Sequence, residues 1–202
     1  TLPYRDAASS VQGVEFKLVY EEGLYTVYGR FNFAAAGPHF LLGSQVTVRV
    51  PHGVDTARFD AEEIVSAMAG IEWQVTSRVN APVENVSADY ISFTLEPLAD
   101  VSQTTQQWAD GEEIKLFSFA NAGACLDSVE LMTNSDPFYQ PIAAGGYNSA
   151  YTDPANSFIV AAQGDSYLNE LYIGVYDTGI ANCTNRSVEF SDYIFLPVIV
   201  NR

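Results

Sequence analysis

The chain has 202 residues, 25 acidic and nine basic side chains, and a formal net charge of −16 at pH 7. Bare nucleic acid and anionic membrane surfaces are poor partners for such a chain, because binding to them depends on basic groups. Hydrophobic residues make up 48% and aromatic residues 13% of the sequence, which excludes intrinsic disorder and favours β-strands. The sequence has no uncharged apolar run long enough to span a membrane.

The first third of the chain predicts three strands. Residues 14–20 and 24–31 are rich in β-branched and aromatic side chains and are separated by a short glycine-containing turn, which predicts a hairpin. Residues 45–50 alternate most clearly, so their three valines are expected on one face: Val46, Val48 and Val50.

Residues 60–70 predict one short helix. Asp60 and Glu63 have the spacing of an N-terminal capping pair, and Gly70 suits the C-terminal end. The apolar face of this helix would consist of Ile64, Val65 and Met68. A strand from Arg58 onward fits the same residues and remains the alternative.

The later strands are predicted between turn signals, and no helix is predicted among them. They cover residues 71–77, with Trp73 pointing inward, and then 90–95, 113–119, 128–132, 158–162, 170–176 and 188–200. A long loop over residues 133–156 interrupts them. Strands in this order predict an all-β fold, a β-sandwich of immunoglobulin-like or jelly-roll-like type with one short helix, as a single domain over residues 1–202.

The two cysteines, Cys125 and Cys183, are expected to form a disulfide. The chain begins with Thr1, which we interpret as an exported protein whose targeting segment has been removed, or as an excised piece. An even number of cysteines in an exported chain favours a bridge over the alternative of two buried thiols. The expected location is therefore extracellular, at a cell surface.

No catalytic residue can be assigned from the sequence. The two histidines, His39 and His52, stand next to prolines and outside any nucleophile or zinc motif, so each is interpreted as a turn residue. Paired carboxylates can hydrolyse glycosides. With 25 acidic residues, however, spacing alone selects no pair, and the sequence favours a protein that is not an enzyme.

The long loop contains the candidate ligand-binding residues. Asp136 and Asp153 are candidate ligands for Ca²⁺, which prefers loop oxygens and is the one cofactor that the acidity suggests. Solvated carboxylates that serve solubility are the alternative. Tyr139, Tyr147 and Tyr151 could stack on sugars or contact a protein partner. Their alternative role is to hold the loop on the sandwich.

Strands near both ends of the chain are candidates for addition to a sheet of another copy. Exposed sheet edges accept strands from other chains. The candidate side chains are Val14, Phe16 and Leu18 near the start, and Ile194, Leu196 and Val198 near the end. In the alternative, both terminal strands pair within their own sheet.

Several segments resemble uncharacterised secreted bacterial surface proteins of adhesin-like character. They are residues 45–51, 77–82, 89–93, 116–119, 123–126, the Asp136-Pro137-Phe138 turn and Asn182-Cys183. The resemblance covers residues 45–185 and implies an extracellular β domain of a bacterial surface chain; it supplies no catalytic residues.

These observations favour a structural or adhesive surface protein whose partners are its own copies or other surface proteins. Such a protein could form filaments by strand addition. The main alternative is a carbohydrate-binding module that uses the loop tyrosines and Trp108. A glycoside-acting enzyme is supported only by the number of acidic residues.

Overall fold

The computed structural model describes residues 11–97, 105–123, 125, 128–162 and 168–183. These residues contain thirteen strands: β1 Val14–Glu21, β2 Leu24–Phe31, β3 His39–Pro51, β4 Ala61–Ser66, β5 Ile71–Asn80, β6 Ala88–Pro97, β7 Thr105–Gln106, β8 Glu113–Asn121, β9 Val129–Leu131, β10 Ser157–Ala162, β11 Asn169–Glu170, β12 Tyr172–Val175 and β13 Ile180–Ala181. A 3-10 turn covers Asp55–Ala57, and the short helix α1 covers Gln140–Ala143.

The strands form two sheets that pack face to face, which confirms the all-β sandwich. The five-stranded sheet has the order β12-β1-β2-β8-β4. The eight-stranded sheet has the order β11-β10-β3-β6-β5, with β7 and β9 also paired to β3 and β13 paired to β9. No helix among the described residues has the length and apolar character that a membrane crossing requires.

The predicted hairpin at the start of the chain is confirmed. β1 and β2 pair antiparallel in an unbroken register from Val14 opposite Phe31 to Glu21 opposite Leu24. The two residues of the turn, Glu22 and Gly23, have φ values of 52° and 87°. Two consecutive positive φ values produce the tight turn whose twist matches the strands on either side.

The core between the sheets is mainly aromatic and β-branched. Trp73 is buried, as predicted, and stacks on Phe117 with ring centroids 4.3 Å apart. The three predicted valines of β3 are all buried, but so is Thr47 between them. The hydroxyl of Thr47 lies 2.9 Å from that of Ser92, and its backbone N–H donates to Asn156 Oδ1. Both faces of β3 are therefore covered, because the long loop lies over the outer face.

The prediction of a helix at residues 60–70 is wrong, and the alternative strand is what forms. β4 pairs antiparallel with β8 and has a bulge between Glu62 and Val65, with Glu63 at a φ of 49°. A helix of this length is marginal by itself, whereas β8 offers a row of backbone partners. The described short helix, α1, lies in the long loop instead.

The remaining strands follow the predicted pattern with shifted bounds. Predicted residues 90–95, 113–119 and 158–162 fall inside β6, β8 and β10. Residues 170–176 correspond to two short strands, β11 and β12, because Leu171 lies between them outside any strand. Residues 188–200 lie outside the described residues.

Candidate interaction surface

One end of the sandwich is organised around the predicted disulfide, which is confirmed. Cys125 and Cys183 are joined, with Cα atoms 5.9 Å apart and 58 residues between them in sequence. Cys183 packs against the main core, and both cysteines line a hollow together with Tyr20 and Gly23. We call this end, with the β1–β2 turn and the connections 52–60 and 81–87, the disulfide end.

The connection 52–60 is fixed to the segment that leads into Cys125. The backbone N–H of Ala122 donates to the carbonyl of Asp60, and Asn121 Oδ1 accepts from the N–H groups of Asp60 and Gly123. A Cβ atom at Gly123 would lie 1.9 Å from the carbonyl oxygen of Arg58. Only glycine permits this close approach of the two backbones.

The buried carboxylate of Asp89 fixes the connection 81–87. Its Oδ1 accepts hydrogen bonds from His52 Nδ1 at 2.7 Å and from the backbone N–H of Ala81 at 3.0 Å. Arg78 Nη2 lies 3.8 Å from Oδ2 and also donates to the carbonyl of Phe59. Asp89 is fully buried, so this charge depends on its neighbours for stabilisation.

The two histidines have different positions. His52 directly follows β3, in the connection where a turn residue was predicted, and bonds to Asp89. His39 is the first residue of β3 instead of a turn residue, and its ring packs against Trp108 with centroids 4.9 Å apart. The prediction of a turn is therefore wrong for His39.

The long loop contacts the connection 81–87 through Glu84. Ser149 donates to Glu84 Oε1 from its backbone N–H and to Oε2 from its hydroxyl, both at 2.6 Å. Desolvation raises the pKa of Glu84, but these hydrogen bonds outweigh it and leave the pKa lowered. The ionised carboxylate therefore suits its role as the acceptor that joins the two loops.

Four large apolar or aromatic side chains on these joined loops are exposed to solvent. Their exposed fractions are 82% for Val83, 68% for Val86, 77% for Tyr147 and 80% for Tyr151. We call these four residues the apolar patch. Exposed apolar side chains that lie close together are typical of binding surfaces, and Tyr147 and Tyr151 form such a pair, with ring centroids 5.9 Å apart.

The three predicted loop tyrosines divide into two kinds. Tyr139 is partly buried and packs against the outer cluster of the eight-stranded sheet, in which Phe138 stacks on Tyr90 with centroids 4.5 Å apart. Tyr147 and Tyr151 face solvent, with ring centroids 5.9 Å apart and planes inclined at 36°. Tyr139 therefore holds the loop, and the other two are available for a ligand or partner.

Trp108 does not have the surface position that a sugar-binding residue requires. It is buried and stacks on Phe31 with ring centroids 4.3 Å apart. Its role is to fill the core at the end opposite the disulfide end, because Phe31 is the last residue of β2.

Of the two predicted calcium ligands, Asp136 is engaged in holding the loop, whereas Asp153 is exposed. Asp136 is buried and accepts from the hydroxyl of Tyr90 at 2.7 Å, the backbone N–H of Phe138 at 2.9 Å and Arg49 Nη1 at 3.1 Å. Desolvation and the hydrogen bond to Asp136 raise the pKa of Tyr90, so it stays a donor. Asp153 Oδ1 accepts from the N–H of Ala155. In the part of the chain that the structure describes, no three His, Cys, Asp or Glu side chains are grouped to hold a metal ion, and calcium binding stays a prediction.

The predicted strand-addition residues at the start of the chain lie in the core. Val14, Phe16 and Leu18 are fully buried. The first half of β1 lies between β2 and β12, with Val14 opposite Tyr172 and Phe16 opposite Val175 in parallel pairing. This half of β1 therefore offers no edge to another chain. Ile194, Leu196 and Val198 lie outside the described residues.

The longest sheet edge over the described residues belongs to β5, which sequence reasoning did not single out. The other terminal strands are β11 with two residues, β12 with four and β4 with six, whereas β5 has ten. Both β4 and β5 have a bulge, but β4 also has two adjacent exposed acidic side chains, which protect an edge from pairing. The alternating pattern of residues 71–77 did predict a strand, but no local signal indicates that it is outermost.

No known family model matches the chain, and no curated protein or solved structure is significantly similar to it.

Proposed function

We propose that the protein is an extracellular structural subunit of a cell-surface assembly, in which copies join head to tail by strand addition. The observation that carries this proposal is the outer edge of β5, the longest strand at a sheet edge among the described residues. An exposed edge of this kind is a template for a strand from another chain.

Addition of a segment of one copy to the β5 edge of the next copy is a head-to-tail contact. Such a contact uses two different surfaces of each copy and produces an open filament when its rotation does not close a ring. The apolar patch supplies exposed contact area at the disulfide end. The disulfide supports an extracellular location, where such bridges persist, and a secreted surface protein agrees with the resemblance described above.

The net charge of −16 opposes association of identical copies, because like charges repel. Assembly should therefore increase with salt. Raising NaCl from about 0.01 M to about 0.15 M shortens the Debye length from about 30 Å to about 8 Å. Salt-induced assembly would separate this proposal from one in which cations bridge the subunits, since NaCl supplies screening without divalent ions.

The experiment compares the full chain with a chain that lacks residues 188–202, using multi-angle light scattering. The full chain should grow from 22.0 kDa to larger masses as protein and salt concentrations rise. The shortened chain should stay monomeric, because it lacks the apolar segment that would be added to the next copy. A full chain that remains at the monomer mass under all these conditions would contradict the proposal.

A carbohydrate-binding module is the second candidate, and the exposed pair Tyr147 and Tyr151 favours it. Rings with an apolar face and a polar hydroxyl are well suited to sugars. In this case, replacing both tyrosines by alanine should weaken binding to a polysaccharide at least about tenfold, from the loss of about 1.4 kcal/mol or more. Val54→Ala, at another exposed apolar residue of the disulfide end, should leave binding unchanged. A glycan array on which the wild-type protein binds nothing would remove this candidate.

A further inference from the structure

The outer edge of β5 has the properties of an acceptor site for a strand. β5 pairs with β6 from Ile71 opposite Pro97 to Asn80 opposite Asp89, with a bulge between Val75 and Ser77. Over the described residues no strand pairs with its other side. Trp73 already donates its backbone N–H to Ser66, so the free part of the edge lies beyond Trp73 and offers room for a few backbone hydrogen bonds to an added strand.

The inner face of the sandwich is incompletely covered beside this edge. Val75 lies opposite the fully buried Phe93 and shares the core-facing side of β5 with Trp73, since alternate residues face the same way. Trp73 is buried, yet 38% of Val75 is exposed. A side chain that faces the core and still contacts solvent marks a place where another apolar strand would complete the packing.

The neighbouring sheet edge leaves a defined strip for such a strand. β4 lies beside β5 at the side of the sandwich. The hydroxyl of Ser66 accepts a hydrogen bond from the backbone N–H of Trp73 at 3.0 Å. Near the disulfide end, Arg78 reaches across to the carbonyl of Phe59. We call the strip between these two contacts the β4–β5 seam, and Val75 lies within it.

We propose that the β4–β5 seam accepts residues 188–200 of a second copy as a new outermost strand beside β5. This inference rests on the proposed function and names its contact. The segment has 13 residues and is almost entirely apolar in its second half. Ile194, Leu196 and Val198 alternate, so in a strand they share one face and could cover Val75.

Two further features of the sequence match an edge position. Pro197 has no backbone N–H, which suits an interior position of an edge strand, and a strand added to β5 has one side free. The segment follows Cys183, which is fixed at the disulfide end by its bridge to Cys125.

The test mixes two single variants of the full chain, Val75→Cys and Leu196→Cys, under mild oxidation. A disulfide between the two new thiols in a mixture can join only separate copies. Non-reducing electrophoresis and intact mass should show two-chain species in the mixture, at least tenfold above either variant alone. The control mixes Leu168→Cys with Leu196→Cys; because Leu168 lies next to β11 at the other edge of the sheet and is more exposed than Val75, random collision would favour the control.

The outcomes separate this inference from the proposed function. Equal cross-linking in the control mixture would contradict the proposed contact at the β4–β5 seam. The same holds if Val75→Cys forms no cross-link while light scattering still shows assembly. In both cases the proposal that copies assemble would stand. A Val75→Cys/Leu196→Cys double variant that closes only within one chain, at the monomer mass, would place the segment on its own β5 and also overturn the inference. Failure of the wild-type chain to assemble would overturn both proposals.

Discussion

Replacing both cysteines, as Cys125→Ser with Cys183→Ser, is expected to lower the free energy of unfolding by about 4 kcal/mol. The bridge connects residues 58 positions apart, and the loss of chain entropy for a loop of that length corresponds to about 4 kcal/mol. Denaturant unfolding followed by circular dichroism measures the change. The effect should come from the unfolded chain, so the midpoint should move while the native spectrum stays the same.

Reduction provides the control for the cysteine variant. Dithiothreitol should shift the unfolding midpoint of the wild-type protein to that of the variant and should not affect the variant itself. Unchanged unfolding of the variant would mean that the bridge contributes nothing. The variant should also assemble less well, because Cys183 would no longer be tied to Cys125 at the disulfide end.

Replacing Asp89 by alanine should cost about 3 kcal/mol of stability. The change leaves Arg78 and His52 without the buried carboxylate that they face, and it leaves the backbone N–H of Ala81 without its acceptor. Removing one partner of a buried charged pair typically costs about 3 to 5 kcal/mol. Because Arg78 is partly exposed, we expect the loss of stability on replacing Asp89 to lie at the lower limit of this range.

Comparing the urea unfolding of the Asp89→Ala variant with that of a Glu62→Ala variant isolates the effect of burial. Glu62 is an exposed acidic residue of β4, and its replacement should change stability by less than about 0.5 kcal/mol. Asp89→Asn should fall between the two, because the amide keeps the size and one acceptor oxygen but loses the charge. Equal stability of Asp89→Ala and Glu62→Ala would mean that the connection 81–87 is held by other contacts.

The fold could be predicted where alternation is local. The β1–β2 hairpin followed from two β-rich runs around Gly23, and the buried valines of β3 followed from their spacing. The segment 60–70 could not be predicted in the same way. Its capping signals are local, whereas β8 supplies its backbone partners from more than 50 residues further along the chain.

The candidate surface could be predicted only in part, for the same reason. Tyr147 and Tyr151 were identified from composition, but what separates them from Tyr139 is the stacking of Phe138 on Tyr90, which depends on how the loop lies on the sheet. The pairing of His52 with Asp89 follows from the register of β3 and β6, which places Pro51 opposite Ala88. Without that register, nothing in the sequence indicates that these two residues are paired.

Asp136 shows how one residue type can serve a different purpose from the predicted one. Its position in an acidic loop suggested a calcium ligand. In the fold, both of its oxygens accept hydrogen bonds, from Tyr90 and Phe138 on one oxygen and from Arg49 on the other. Three donors on one buried carboxylate hold the loop on the sheet and so position the apolar patch.

Negative-stain electron microscopy of the purified full chain, at high concentration and about 0.15 M salt, most directly tests whether copies of this protein join head to tail. We expect filaments whose axial repeat is on the order of 40 Å, the length of a 13-residue strand such as β3. Fields that contain only isolated particles of monomer size, in material that circular dichroism shows to be folded, would contradict the account.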